Sequence, residues 1–470
     1  MILQLTCAIV EIALYAALAA AALHLAVAAA WALRRGRTRA TAASTPAELP
    51  VVTVQLPVRD EAPMIEALLG AAAALDWPRD RLELQVLDDS DDETSAIVDR
   101  VAAGLAAAGT PIVVLRRADR RGYKAGNLAH GLSHARGELI LVLDADFRPA
   151  PDLLRALHAA LAADPSLAFA QARWSYRNRE ASPLTRLQAA ILDGLFTVEQ
   201  ARLSARGAPV QFNGSGGLWR RAAIDRAGGW RVDEHALTED LDLSFRAHEL
   251  GLRGATLPDV VVATELPATM AAFRTQQARW VRGGALALRA LGRRLIGRSA
   301  GSDARTMLAH LARHLRQPLF VAAALRLAVV ACGAARPVAP AAVGPAVFAA
   351  LAAAAALYLG AATQRTTGRL REGVLLSPLL LLLSVGIAPA LALAFVGGLL
   401  GRRGGGFQRT EKIGDIARRP SPARLDLASI LGLLVAAAAG ASFLAFAYAR
   451  DPLGAAAALA VMTGCAWVAL

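Results

Sequence analysis

The stretch ELILVLDAD, residues 138–146, joins a run of residues suited to a buried β-strand to a pair of aspartates. The stretch LELQVLDDS, residues 82–90, repeats this arrangement earlier in the chain. Ligands of an open, mostly parallel sheet bind in the crevice at the carboxyl ends of the strands. The two stretches therefore predict a sheet whose strand ends carry a shared acidic site.

The region from about residue 45 to residue 267 continues this pattern, because short apolar runs alternate in it with segments of helical periodicity. Such alternation is typical of an α/β domain. The predicted strands, which are apolar enough to be buried and mostly parallel, are residues 51–56, 82–87, 112–115, 138–143 and 168–171.

The rest of the chain is more apolar than a soluble protein. Apolar residues make up 55% of the 470 residues, and the mean hydropathy is +0.41, which favours a membrane protein. Stretches long enough to cross a bilayer lie at about 5–33, 341–362, 374–400, 425–447 and 453–470, with a shorter one at 317–333. The first is long and lacks a basic N-terminal flank, so it is predicted to be a retained signal anchor; cleavage is the alternative.

The formal net charge of +13 does not require nucleic acid as a partner, and none is predicted. Many arginines flank apolar stretches, as the positive-inside bias expects. Anionic lipids and the phosphates of a small ligand are sufficient partners for this charge. Cys7, Cys332 and Cys465 have no disulfide or metal-ligand spacing and are predicted to be buried bystanders.

The stretch at 374–400 is predicted to enter the membrane without crossing it. Arginines flank it on both sides, at 365, 369 and 371 and at 402 and 403, and a crossing would place one set outside. Pro389 and several glycines are expected to break it. This topology gives five crossings, an outside N-terminus and an inside C-terminus. The helical segments 270–295 and 303–315 are predicted to lie on the cytoplasmic membrane surface, or alternatively to be surface helices of the α/β domain.

The acids at the two strand ends suit a sugar nucleotide. Asp88 and Asp89 can accept hydrogen bonds from a uracil or a ribose. Asp144 and Asp146 can hold Mg²⁺ or Mn²⁺ through hard oxygen ligands that are shared with a diphosphate. An isolated Asp-x-Asp pair is more often a solvated loop, but its position at a strand end favours the cation site.

The motif Thr238-Glu239-Asp240 precedes a helical run and has two interpretations. Thr238 is placed to cap the helix, and carboxylates at a helix start commonly serve only to complement it. Alternatively, Asp240 is the base that takes the proton from an acceptor hydroxyl.

The motif QQARW at 276–280 lies in the first amphipathic segment. Trp280 is either an anchor at the membrane surface or an aromatic face for a sugar ring. In the second case Arg279 supports the diphosphate and Gln276 hydrogen-bonds nearby.

Taken together, the motifs resemble those of a known family. VLDDS at 86–90, YKAGN at 123–127, the Asp-x-Asp pair, FNGSG at 212–216, LTEDLDL at 237–243 and QQARW follow one another. This series strongly resembles the processive family 2 glycosyltransferases of the cellulose synthase superfamily. The likeness is closest to the cellulose-synthase-like A group, the mannan and glucomannan synthases, and to their bacterial relatives, and it covers nearly the whole chain.

The resemblance implies a GT-A fold and inverting transfer of a hexose from a UDP- or GDP-linked donor. It assigns Asp88, Asp89, Lys124, Asp144 and Arg279 to the nucleotide sugar, Asp144 and Asp146 to Mg²⁺ or Mn²⁺, and Asp240 with Glu239 to catalysis. It assigns Asn213, Gly214, Ser215, Gln276 and Trp280 to the acceptor.

The loop FQRTEK at 407–412 resembles the FxVTxK gating loop of cellulose synthases. Phe407, Thr410 and Lys412 are therefore predicted to close over bound nucleotide, and a plain basic loop is the alternative. Arg409 stands where that motif has valine. A second departure is VRDE at 58–61, where relatives more often carry an aromatic residue and asparagine, so the nucleotide contacts at this corner stay open.

These observations divide the chain into six parts. Residues 1–44 form the membrane anchor and its basic flank, 45–267 the cytoplasmic GT-A domain, 268–316 the amphipathic interface helices, 317–400 the transmembrane and re-entrant helices, 401–424 the gating-like loop and 425–470 a transmembrane hairpin. The expected activity is processive extension of a β-linked polysaccharide at the plasma or inner membrane. The alternatives are single transfer to a glycolipid acceptor, as in ceramide glucosyltransferases, and a non-catalytic membrane subunit.

Overall fold

The computed structural model describes residues 2–35, 49–231, 238–297, 301–334, 336, 343–401, 426–448 and 452–469. Within these ranges seven strands form one sheet: β1 Val52–Val58, β2 Leu82–Asp88, β3 Ile112–Leu115, β4 Leu139–Val142, β5 Leu167–Tyr176, β6 Gly217–Arg220 and β7 Arg253–Thr264. Their spatial order is β3-β2-β1-β4-β6-β5-β7. β6 runs antiparallel to β4 and β5, and the other neighbours are parallel. The predicted mostly parallel sheet is therefore confirmed.

The five predicted strands correspond to β1 through β5. β6 and β7 are missing from the sequence prediction for physical reasons. β6 has the sequence GLWR, so it lacks the continuous apolar run that marks β3 and β4, which are equally short. Pro258 and Asp259 interrupt the apolar pattern of β7.

The helices of the described residues are α1 Ile2–Arg34, α2 Ala62–Ala73, α3 Thr94–Ala107, α4 Tyr123–His134, α5 Leu153–Ala163, α6 Pro183–Gly194, α7 Ala201–Ser204, α8 Arg221–Arg226, α9 Glu239–Glu249, α10 Met270–Gly297, α11 Ser302–Ala312, α12 Arg316–Ala331, α13 Val343–Thr367, α14 Leu370–Leu399, α15 Leu427–Tyr448 and α16 Pro452–Ala469. A π-helical turn, Leu195–Gln200, joins α6 to α7.

Both faces of the sheet are buried. Alternate residues of β4 point to opposite sides: Leu141 shares a cluster with residues of α2 and α5, and Ile140 and Val142 share another with Phe169 and Trp219. Strands that are buried on both faces need continuous apolar sequence. This burial fixes β1, β2 and β4 side by side, so their carboxyl ends open at one edge.

Five helical segments of the described chain are long and apolar enough to cross a membrane by length and composition: Gln4–Arg34, Ser302–Ala331, Ala346–Thr367, Leu370–Leu399 and Leu427–Ala447. The second segment comprises α11, the turn Arg313–Leu315 and α12. The last helix, α16, is apolar but shorter and packs against α15 through Cys465 and Val435. The predicted apolar stretches are therefore helical. Cys7 and Cys465 are buried as predicted, but Cys332 is exposed because it lies at the end of α12.

α14 is one continuous helix that contains Pro378 and Pro389, so the expected break at Pro389 is wrong. Proline is tolerated inside apolar helices where neighbouring helices pack around the freed backbone groups. α10 packs beside α14, where Phe273 and Val281 share an apolar cluster with Ile387 and Phe395.

Both ends of α14 contact the α/β domain or elements joined to it. At its start, Glu372 accepts a hydrogen bond of 3.3 Å from Arg179, which follows β5. At its end, Gly398 lies against Ala285 of α10. These contacts are compatible with a helix that does not cross the bilayer, and that topology stays a prediction.

The segments predicted as interface helices are helical, as α10 and α11, and their position on a membrane surface stays a prediction. Most of the loop predicted to gate the site, with Phe407, Thr410 and Lys412, lies outside the described residues.

Candidate active site

Segments that are distant in the sequence line one cavity of about 310 Å³. It opens where the ends of β1 and β4 meet the first turns of α4 and α9, beneath the middle of α10. The predicted site residues on its wall are Asp89, Lys124, Asp144, Asp146, Asn213, Gly214, Glu239, Asp240, Gln276, Arg279 and Trp280. Asp88 and Ser215, which are also described, lie behind this wall.

Asp144 and Asp146 leave β4 in a turn that hydrogen bonds hold in place. The amide of Asp144 donates to Ser215 Oγ at 2.9 Å, and Thr264 Oγ1 donates to Asp146 Oδ2 at 2.7 Å. Ser215 therefore shapes the Asp-x-Asp turn from behind. Thr264 is the last residue of β7. This strand, which the sequence analysis did not predict, therefore contacts one of the two acids directly.

The two carboxylates fit a divalent cation. Burial raises the pKa of Asp144, and the charge of Asp146 raises it further against the opposing effect of Lys124. A divalent cation would relieve this repulsion, and carboxylate oxygens are the ligands that Mg²⁺ and Mn²⁺ prefer. Among the described residues no three His, Cys, Asp or Glu side chains form a ready cage, so such a cation would need further ligands from a bound diphosphate.

Lys124 enters the cavity from the first turn of α4. Its Nζ lies 2.6 Å from Asp144 Oδ1 and 3.4 Å from Glu239 Oε1. Burial alone would lower the pKa of Lys124, but Asp144 and Glu239 raise it above its usual value. Gly126 allows this turn, because a Cβ there would overlap the backbone carbonyl of Arg121. The ammonium is therefore charged and faces the acids.

Asp240 lies in the first turn of α9, and its Oδ1 accepts a 2.8 Å hydrogen bond from the amide of Leu241. Gly214 approaches it so closely that a Cβ at Gly214 would lie 3.0 Å from Asp240 Oδ2. Burial, followed by the charge of Glu239, raises the pKa of Asp240 to about 7. A carboxyl group with this pKa can accept a proton near neutral pH.

The pH dependence of kcat/KM should report this group. A base must be deprotonated in order to act, so kcat/KM should fall about tenfold per pH unit below the pKa of Asp240 and level off above it. Raising the Mn²⁺ concentration should move this limb to lower pH, because a nearby cation favours the carboxylate. Initial rates measured across the pH range at low and high Mn²⁺ test the prediction, and a kcat/KM that stays flat from about pH 6 to 8 at low Mn²⁺ would contradict it.

Thr238 occupies the N-cap position of α9, as predicted, but its side chain makes no capping hydrogen bond. It packs instead against Gly283 of α10, where a Cβ would overlap its methyl group. This contact sets the distance between the helix that carries Asp240 and the helix that carries Trp280. The predicted capping role is wrong, and a packing role replaces it.

Gly283→Ala should lower sugar transfer by about tenfold to a hundredfold, because small displacements of reacting groups are costly. Alanine is a better helix former than glycine, so the thermal stability of the protein should fall little. The matched control is Gly297→Ala on the same helix, where no atom lies within 4 Å of the added Cβ. Equal turnover in the two variants would show that this close approach is unimportant.

Gln276, Arg279 and Trp280 share the cavity wall with the acids. Burial lowers the pKa of Arg279, and Glu239 and the neighbouring aspartates oppose that change. The guanidinium group therefore faces the acidic part of the cavity. This placement favours the site interpretation of QQARW over a membrane anchor alone.

Asp88 does not reach the cavity. Its buried carboxylate accepts hydrogen bonds from the amide of Ser90, from Ser95 Oγ and from Arg116 Nε, at 3.0, 2.7 and 2.9 Å. Burial alone would raise the pKa of Asp88, but these hydrogen bonds hold it below its usual value. Its contact with a nucleoside therefore stays a prediction.

Asp89 faces the cavity and forms an ion pair with Arg117 at 2.5 Å. The corner at 58–61, where the sequence departs from its relatives, contributes Arg59 and Glu61 to the same wall. Arg120 also lies there. Charged side chains of both signs therefore line this end of the cavity.

His310, Arg313 and His314 also line the cavity, although no motif singled them out. They come from α11 and the turn that follows it. Their spacing of three and four residues places them on one helical face, which is the signal that could have identified them. The sequence analysis interpreted this segment as a membrane-surface helix and did not predict that these three side chains line the cavity.

The sequence model of the family described as "Glycosyltransferase like family 2" matches residues 50–283. Glucomannan 4-beta-mannosyltransferase 2 of Arabidopsis thaliana is 44% identical over 235 residues, which cover 49% of this chain and 44% of that protein. Glucomannan 4-beta-mannosyltransferase 1 of Oryza sativa subsp. japonica is 41% identical over 235 residues, which cover 49% of this chain and 45% of that protein. The aligned part of the chain thus spans less than half the length of each relative.

A solved mannosyltransferase of Pyrobaculum calidifontis, in complex with GDP-Man and Mn²⁺, shares the fold. Its TM-score is 0.58 at 24% sequence identity, and the match covers 84% of this chain and 99% of that one. At this identity the likeness concerns the fold alone, and it confirms the predicted GT-A architecture.

Proposed function

Because the chain belongs to glycosyltransferase family 2, we propose that it transfers a hexosyl unit from a UDP- or GDP-linked donor to a growing β-linked polysaccharide. The observation that carries this proposal is that Asp146, Asp240 and Trp280 line one cavity. The names of the aligned relatives favour a mannosyl unit and a 4-beta linkage. Repeated addition to one chain, which is processive synthesis, is part of the proposal.

In the proposed reaction Asp240 accepts the proton of an acceptor hydroxyl group. The hydroxyl oxygen forms the new bond to the anomeric carbon, and the bond from that carbon to the diphosphate oxygen breaks on the opposite face. Lys124 and Arg279 stabilise the negative charge that the diphosphate gains. Trp280 offers an aromatic face to the acceptor sugar, and Gln276 and Asn213 offer hydrogen bonds.

A divalent cation, Mg²⁺ or Mn²⁺, would be held by Asp144 and Asp146 and would neutralise the leaving diphosphate when bound. The support for this assignment is the electrostatic repulsion between these two neighbouring carboxylates. The Ser215 and Thr264 hydroxyl groups keep the turn that carries them in place.

The α/β domain is proposed to lie on the cytoplasmic side of a plasma or inner membrane, where nucleotide sugars are made. Arg365 near the end of α13 donates hydrogen bonds to the backbone carbonyls of Ala32 and Arg35 at the end of α1. The basic ends of two apolar helices therefore lie together on the side of the α/β domain. Positive charge at helix ends favours the cytoplasmic side.

Sugar transfer by purified full-length protein in lipid nanodiscs tests the proposal. The protein is incubated with Mn²⁺ and a panel of radiolabelled UDP- and GDP-hexoses, and polymer and lipid products are separated. The proposal expects label in a long polymer that a β-mannanase or β-glucanase digests. Label confined to a lipid would show single transfer instead, and no label with any donor would contradict glycosyl transfer.

A further inference from the structure

The ammonium group of Lys124 is held by three oxygen atoms. Besides Asp144 Oδ1 and Glu239 Oε1, it contacts the carbonyl oxygen of Gly214, to which it donates a 2.9 Å hydrogen bond. The three oxygens belong to segments that are far apart in the sequence: the end of β4, the start of α9 and the loop before β6. They approach the nitrogen as ligands approach a small cation.

A divalent metal ion would seek the same oxygens. Carboxylate and carbonyl groups are the preferred ligands of Mg²⁺ and Mn²⁺, and Asp144 belongs to the Asp-x-Asp pair that would hold the metal. Two cations close to one carboxylate repel each other, and burial strengthens that repulsion. Lys124 and a metal ion therefore compete for Asp144.

Lysine is a rare residue in this chain. Lys124 and Lys412 are the two lysines among 51 basic residues, and all the others are arginines. An ammonium group is a compact charge whose three donors diverge, whereas a guanidinium group is a planar fork. Three oxygens around one nitrogen suit the first shape better than the second, although both side chains carry the positive charge.

We propose that Lys124 is an internal counter-ion that excludes divalent metal from the site until a nucleoside diphosphate binds. The proposal rests on the proposed function and adds an order of binding to it. A diphosphate offers the ammonium group a new anion and offers the metal further oxygen ligands. Lys124 then moves from Asp144 to the phosphates, and metal and nucleotide enter together.

Mn²⁺ binding to the full-length protein tests the proposal without any sugar transfer. Free Mn²⁺ is measured by electron paramagnetic resonance for the wild type, Lys124→Met and Lys124→Arg, each with and without UDP or GDP. Without nucleotide, K124M should bind Mn²⁺ at least about tenfold more tightly than the wild type, because one competing charge is gone. K124R keeps the charge and should bind no more tightly than the wild type.

Nucleotide should tighten Mn²⁺ binding in both proteins, because the diphosphate adds oxygen ligands, but the gain should be larger in the wild type than in K124M. Equal or weaker Mn²⁺ binding by K124M without nucleotide would overturn the proposal, and so would a gain in K124R equal to that in K124M. If K124M fails to fold, a wild-type Mn²⁺ affinity that does not depend on nucleotide overturns the proposal by itself. Failure of the proposed function would appear separately, as absence of sugar transfer by the wild type with every donor.

Discussion

Replacing Asp240 with asparagine should lower sugar transfer by about 10²–10⁴-fold, the usual contribution of a general base. Asparagine has nearly the shape of aspartate, and its amide oxygen can still accept the hydrogen bond from the amide of Leu241. It cannot take a proton from the acceptor. The loss should therefore appear in kcat, while the protein keeps its fold and its affinity for nucleoside diphosphate.

The measurement is the initial rate of polymer labelling at saturating donor, together with thermal unfolding and nucleotide binding. Asp259→Asn is the matched control, since Asp259 is an exposed carboxylate on β7 and does not line the cavity. It should transfer sugar at the wild-type rate. An Asp240→Asn variant within about tenfold of the wild type would rule out Asp240 as the base.

Asp146→Asn should lower transfer by about 10²–10³-fold, because metal ions contribute several kcal/mol to the stabilisation of developing charge. The variant should also lose most of its stimulation by Mn²⁺ or Mg²⁺. Its amide oxygen can still accept the hydrogen bond from Thr264, so the turn after β4 should survive. The expected defect is therefore one of metal use and not of folding.

Rates measured over a titration of Mn²⁺ distinguish this defect from a general loss of activity. Chelation of metal from the wild type should reproduce the activity of the variant, and readdition of Mn²⁺ should restore only the wild type. A variant that responds to Mn²⁺ with the wild-type midpoint and amplitude would show that Asp146 is not a ligand of the metal.

The parts of the site that follow from local pattern were predictable. β4 has a continuous apolar sequence, and β2 alternates leucine and valine with Glu83 and Gln85. The rule that ligands bind at strand ends directs attention to the acids at the ends of these strands. Asp144 and Asp146 line the cavity for that reason. The spacing of QQARW likewise predicted that Trp280 lies on a helix. The position of this helix beside the acids depends on tertiary packing and could not be predicted from the spacing.

The parts that depend on long-range partners were not predictable. Asp88 and Asp89 are adjacent in the sequence, yet one is held behind the wall by Arg116 and the other faces the cavity beside Arg117. Both arginines follow β3, and the pairing of β3 with β2 decides which acid each one meets. Local rules likewise predicted a helix cap at Thr238. The close approach of α10 to α9, which places Thr238 against Gly283 instead, cannot be predicted from the sequence of either helix alone.

The membrane part shows a third kind of limit. Pro389 predicted a break because proline removes a hydrogen-bond donor from a helix. Packing against α10 keeps α14 continuous through that position. Of the basic residues that motivated the topology, Arg365 lies beside the end of α1. This contact between distant segments could not be predicted from the flanks alone.

A structure of the full-length protein with Mn²⁺ and an intact nucleotide sugar would test the central claim most directly. The account predicts that Mn²⁺ lies against Asp146 and the diphosphate, and that the sugar lies in the cavity between Asp240 and Trp280. It also predicts that Lys124 has left Asp144 for the phosphates. A nucleotide bound outside this cavity, or a metal held by other residues while Lys124 keeps its contact with Asp144, would contradict the account.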